Sequence, residues 1–156
     1  MGEKGLILQN VIINEIKKLG YELNIEKQLI MAKGEYKGAK VLSCVFIWDD
    51  FYKVEAFDTD SYNREYNANV EKLLVKINNT TSIWNYTYST DDDGLIGCKA
   101  STLCYDSLPS GESVSIMVRG CIKGIFKIRE FWKRVYLNED ANEVFESYRE
   151  KMEGEK

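Results

Sequence analysis

The chain has 156 residues, 44% hydrophobic and 29% charged, with 21 basic against 25 acidic side chains, one Pro, four Cys and no His. A domain of that length buries roughly 70% of the surface its unfolded chain exposes, so a core forms without metal or disulfide staples and disorder is excluded as the dominant state. The net charge of −4 draws the chain toward neither nucleic acid nor an anionic membrane, and the missing His removes the commonest general base, the commonest metal ligand and every Ser/His or Cys/His nucleophile pair.

Residues 6 to 19 place Leu6, Leu8, Val11, Ile12, Ile16 and Leu19 on one stripe, which predicts an amphipathic helix, and Gly20 follows where a helix end takes a left-handed residue. From Tyr21 the period shortens to two. Tyr21, Leu23 and Ile25 alternate with Glu22, Asn24 and Glu26, and a second extended run begins at Leu29 and ends near Gly34 to Gly38. Val41 to Trp48 is apolar on both faces, with Leu42, Cys44, Phe46 and Trp48 pointing one way and Val41, Val45 and Ile47 the other. Such a strand is expected to be covered on both sides, by helices on one and by a helix or a partner subunit on the other. Asp49-Asp50 predicts a turn, and Tyr52, Val54 and Ala56 continue the meander.

A second helix is predicted over 61 to 77, where Tyr62, Tyr66, Val70, Leu73, Leu74 and Ile77 recur at spacings of three and four. The period then returns to two. Trp84, Tyr86 and Tyr88 share a face, Thr90 to Gly94 reads Thr-Asp-Asp-Asp-Gly, and Ile96 to Cys104 alternates beyond it, the strongest short-range signal for a hairpin. Ser110 is placed to cap a third helix whose stripe runs from Val114 to Val135 through Val118, Cys121, Ile125 and Ile128. Asn138 to Asp140 interrupts it, and a shorter charged segment, 141 to 152, is expected to be helical. The whole reads as one α+β domain, 1–156, with a core over 6–136 and an antiparallel sheet of about five strands.

The order helix, meander, helix, hairpin, helix resembles the YbjN family, small bacterial proteins described as sensory transduction regulators, whose fold is similar to that of type III secretion chaperones. The resemblance rests on Leu19-Gly20-Tyr21 leading into the first strand, on the Val70 to Asn78 run before the hairpin, on Asp93-Gly94-Leu95-Ile96 opening the next strand, and on Leu108 to Ile116 before the long helix. It covers residues 6 to 136; the aromatic hairpin from Trp84 to Tyr88 and the C-terminal segment depart from it. It implies a dimeric α+β domain that binds another polypeptide, and it carries no catalytic motif onto these residues.

Candidate chemistry is sparse. Asp91-Asp92-Asp93-Gly94 resembles a calcium loop, but its carboxylates are consecutive, where such a loop needs alternate ones and a distal Glu; a solvated hairpin turn is expected instead. Asp49, Asp50, Asp58 and Asp60 read as strand-end turns. Cys44, Cys98, Cys104 and Cys121 lack C-x-x-C spacing and sit among apolar neighbours, which suits reduced, buried thiols. Lys123, Lys127, Arg129, Lys133 and Arg134 make the third helix basic, a pattern that serves phosphates or acidic peptides but more commonly forms a solvated face. The glycines form no phosphate-binding loop, so no cofactor is expected.

Ten of the residues are Tyr, a side chain suited to interfaces, and Tyr52, Tyr86, Tyr88 and Tyr105 fall on or near strands. Trp48, Trp84, Tyr86 and Tyr88 are therefore the candidate partner-binding residues. Leu42, Val45, Phe46, Ile47, Leu73, Leu74, Ile77, Val118 and Ile125 are expected in the core or an interface. The N-terminus has no signal-peptide core and no apolar run approaches membrane-spanning length, so a cytoplasmic protein is expected. The function expected is a non-enzymatic, chaperone-like or regulatory module that binds a protein or peptide partner through a sheet face or helix groove and forms a homodimer. The alternative is a small acidic inhibitor or immunity-type protein that masks a basic partner site.

Overall fold

The computed structural model describes residues 1–80, 86–104 and 107–155. In chain order the elements are α1 (Glu3–Lys18), β1 (Glu22–Glu26), β2 (Leu29–Tyr36), β3 (Ala39–Ile47), β4 (Phe51–Phe57), α2 (Ala68–Asn78), β5 (Thr87–Thr90), β6 (Ile96–Leu103), α3 (Gly111–Tyr136) and α4 (Ala141–Gly154). The strands form a single antiparallel sheet of six, in the order β1-β2-β3-β4-β6-β5, one more than the sequence predicts. Four of them, β1 to β4, form the meander, and β5 and β6 form the hairpin.

Side-chain alternation decides what packs where. Ile30 and Ala32 of β2, Val45 and Ile47 of β3, Tyr52, Val54 and Ala56 of β4, and Cys98 and Ala100 of β6 lie on one face, all but fully buried. The register places them in rows: Ile30, Val45, Val54 and Ala100 sit side by side across four strands. Against this face lies α3, 26 residues long, whose Val114, Val118, Cys121, Ile125, Ile128 and Trp132 point inward. Its neighbours α1, α2 and α4 complete one helix layer, and α4 adds Val144 and Tyr148 to the same core.

The helix ends follow the side chains that satisfy their free N–H groups. Ser110 Oγ accepts from the Ser113 N–H at 3.1 Å, as its place in the sequence predicts. At α1 the cap comes from afar: Asp49, in the β3–β4 turn, accepts from the Gly2 and Gly5 N–H groups at 2.7 and 3.1 Å. Gly20 takes the expected left-handed backbone, φ 80°. On α1, Leu6 departs from its predicted stripe and is exposed.

The second helix corrects the predicted range. It starts at Ala68, not 61, because Asn67 caps it through the N–H groups of Asn69 and Val70, while Asn63 has φ 62° and breaks any helix upstream. Tyr62 and Tyr66, whose spacing mimicked a stripe, are both exposed. The segment before it is a single 3-10 turn, Thr59–Ser61, held by a polar knot. Asp58 is fully buried, and its carboxylate accepts from Arg129 Nη2 at 2.8 Å, from Trp132 Nε1 at 2.8 Å and from the Asp60 N–H at 2.9 Å. Ser61 Oγ donates to the Asp58 carbonyl at 2.6 Å and accepts from the Ile96 N–H at 2.9 Å, so the knot ties β4, β6 and α3 together.

The hairpin turn between β5 and β6 forms where Asp-Gly predicts it. Gly94 has φ 85°, and a Cβ there would stand 2.5 Å from the Arg64 carbonyl oxygen, so both its backbone angle and its packing demand glycine.

Candidate functional site

Among the described residues, no helix lies against the second face of the sheet. β3 contributes Leu42, Cys44 and Phe46 to it, with Trp48 just beyond the strand end; β2 adds Leu29 and Met31, and β4 adds Phe51 and Phe57. The register gathers them: Leu29 pairs with Phe46, Met31 with Cys44, and Leu42 with Phe57. Except for Cys44, which is 8% exposed, these side chains are half-buried, shielded by one another and not by a second layer. Leu103, paired with Phe51 across β4 and β6, is 64% exposed. An apolar surface continuous over four strands is the kind of patch that marks an interaction site.

Aromatic packing gives the patch its shape. The Trp48 and Phe51 rings stack with centroids 4.1 Å apart and planes 8° from parallel, across a turn closed by the Trp48 N–H donating to the Phe51 carbonyl at 2.9 Å. The Phe46 ring lies 6.4 Å from that of Trp48. Lys53 sits over the Phe46 ring at 4.5 Å and pairs with Glu55 at 3.4 Å, so the centre of the patch holds one charge of each sign. Such an arrangement offers flat contact area with a polar pair for register.

The structure separates the candidate residues. Trp48 lies on the open face. Tyr88 lies on the helix-covered face, where it is 6% exposed and donates from its hydroxyl to the Gly124 carbonyl at 3.2 Å. Tyr86, half-buried on the same side, reaches the Ile116 carbonyl at 3.5 Å. Trp84 and Tyr105 lie outside the described residues. Of the nine core or interface candidates, Val45, Ile47, Leu73, Leu74, Ile77, Val118 and Ile125 are buried under helices, whereas Leu42 and Phe46 belong to the open face. Leu29, Met31, Phe51 and Phe57 were not singled out from the sequence. Strand parity puts Leu29 with Met31 and Phe51 with Phe57, but all four are an odd number of places from Phe46, so only the register that pairs Leu29 with Phe46 and Phe57 with Leu42 brings them to this face.

Cys44 and Cys121 are poor nucleophiles. Burial, reinforced by the Glu55 carboxylate, pushes the Cys44 thiol up, and a hydrogen bond with Cys98 together with burial raises that of Cys121. Asp91 Oδ1 is occupied by the N–H groups of Asp93 and Leu95 at 3.0 and 2.9 Å, a turn holding itself closed. Among the described residues no cluster of three or more Cys, Asp or Glu could hold a metal ion, and no helix is long and apolar enough to cross a membrane. No family model matches the chain, and no curated protein or solved structure matches it.

Proposed function

We propose that this chain is a non-enzymatic protein-binding module, and that the open sheet face is the surface on which a polypeptide docks, with a second copy of the chain as its first occupant in a two-fold homodimer. The observation that carries the proposal is the apolar row Leu42, Cys44, Phe46 and Trp48 on the side of β3 that no helix covers. A two-fold partner presents the same apolar patch, and its central Lys53 and Glu55 meet charges of opposite sign when the copies are offset. Facing sheets pack about 10 Å apart with interleaved side chains, a separation that protruding Phe, Trp and Leu residues fill.

The YbjN resemblance, and through it secretion chaperones, points the same way by analogy of fold. Four free thiols suit a reducing compartment, which supports the cytoplasm as the place of action. Co-expression of two differently tagged copies tests the proposal. The parent copies are expected to co-purify, and copies carrying Phe46→Glu are not. Parent copies that never co-purify would contradict the homodimer, and an interaction with another protein that weakens steeply with added salt would favour the acidic-inhibitor reading.

A further inference from the structure

A groove of about 490 Å³ runs over the middle of α3, with further walls from α4, β5 and the β2–β3 turn. Its charged side chains are Lys37, Lys123, Lys127 and Lys151 against Glu155 alone, a basic site on a chain whose net charge is −4. We propose that this groove binds a nucleoside phosphate, the lysines holding the phosphates and the aromatic walls taking the base.

Within the groove, Lys123 and Lys127 differ from Lys151, whose charge Glu130 already meets. Lys18, Lys133 and Lys151 each have a carboxylate partner, in Glu15, Asp60 and Glu130. Lys123 and Lys127 have no ion pair among the described residues, and they stand four apart on one helix, where like charges repel by about 0.2–0.5 kcal/mol. A bound anion relieves that repulsion. Their compact ammonium groups meet a phosphate as point charges, and with no Arg among the groove's described lining residues neither a phosphate nor a carboxylate is held by a fork.

Two phenols seated on the glycines of α3 floor the groove beside the lysines. Cβ atoms at Gly120 and Gly124 would lie 2.1 Å from Tyr86 Oη and 3.0 Å from Tyr88 Oη, so the glycines let two phenols lie against α3, although each glycine inside a helix costs about 1 kcal/mol. At the other end Phe126 and Tyr36 pack with centroids 5.0 Å apart. The groove's volume falls within the roughly 300–1,000 Å³ usual for small-molecule sites, and its mixture of rings and a few charges is their usual lining. Phosphate recognition here needs no glycine-rich loop, because the positive charge comes from side chains.

Calorimetry at low salt tests the proposal with four nucleoside diphosphates (adenine, guanine, cytosine and uracil), inorganic pyrophosphate and adenosine. At least one nucleoside diphosphate is expected to bind more tightly than roughly 1 mM and at least tenfold more tightly than pyrophosphate, with adenosine weaker still. The double variant Lys123→Ala/Lys127→Ala is expected to lose about tenfold or more of that affinity, while Lys72→Ala, on α2 and outside the groove, leaves it unchanged. Three results would overturn the proposal: no nucleoside diphosphate binds, the double variant binds as the parent does, or pyrophosphate matches every nucleotide. Both lysines are exposed, so the double variant folds, and an unaltered melting temperature checks it.

Discussion

Asn78 and Tyr88 exchange two hydrogen bonds, the side-chain amide of one against both backbone groups of the other: Asn78 Nδ2 donates to the Tyr88 carbonyl and Asn78 Oδ1 accepts from the Tyr88 N–H, each at 2.8 Å. β5 is the last strand in the sheet order, so among the described residues those groups have no neighbouring strand. The last residue of α2 supplies one residue's worth of strand pairing, which fastens the helix to the sheet and blocks the edge against another chain. Asn78→Ala leaves two part-buried backbone groups unpaired. The expected loss is about 1–3 kcal/mol in denaturant unfolding, and a change of a few tenths would show that water replaces the amide at no cost.

The knot around Asp58 carries more weight. Breaking a buried ion pair from one side strands the other charge, and Asp58→Asn removes the carboxylate that Arg129 and Trp132 share. A destabilisation of roughly 3–5 kcal/mol is expected. Trp132→Phe keeps most of the ring and loses only one donor, so its hydrogen-bond share is expected to be about 1–2 kcal/mol, on top of the lost packing area. Equal losses in Asp58→Asn and in a surface control such as Asp92→Asn would show that the knot contributes nothing.

Titrating groups limit stability at both the alkaline and the acid end. Burial pushes the Tyr52 phenol from 10.0 up to about 12 and raises that of Tyr88 as well. A folded-state value raised above the unfolded one means stability that is whole below pH 10.0 and is lost as the pH climbs toward about 12. Tyr52→Phe is expected to make the alkaline fall in melting temperature shallower. On the acid side, the Lys133 hydrogen bond, helped by Arg129, holds the Asp60 carboxyl below its usual 3.8, so its contribution is present above that value and is lost as the pH falls below it. Asp60→Asn is expected to flatten the acid limb and leave the alkaline limb alone; a parent whose melting temperature is flat across both limbs would contradict the assignments.

Much of this architecture is legible in the sequence, for definite reasons. The Asp-Gly turn, the Ser110 cap and the α3 stripe are local signals, set by residues within one turn of each other. The sequence misplaces the N-terminus of α2 because Tyr62 and Tyr66 fall at helical spacing by coincidence, while Asn67 caps the helix and the left-handed Asn63 breaks any helix upstream. The open face was half visible. The double apolar character of 41–48 is written in β3 itself, but its extent depends on register with β2 and β4, and two of the tyrosines on strands, Tyr52 and Tyr88, turn inward because of the register of β4 and β5.

Light scattering across a concentration series decides whether two copies pair through the open sheet face. The parent is expected to have a mass of two 18.0 kDa chains at concentrations above micromolar. Leu42→Ser/Phe46→Ser, whose side chains face away from the helix layer, is expected to keep the parent's circular dichroism and fall to the mass of one chain. A parent that stays at 18.0 kDa throughout the series, or a double variant that dimerises as the parent does, would contradict the open sheet face as the surface on which this chain pairs.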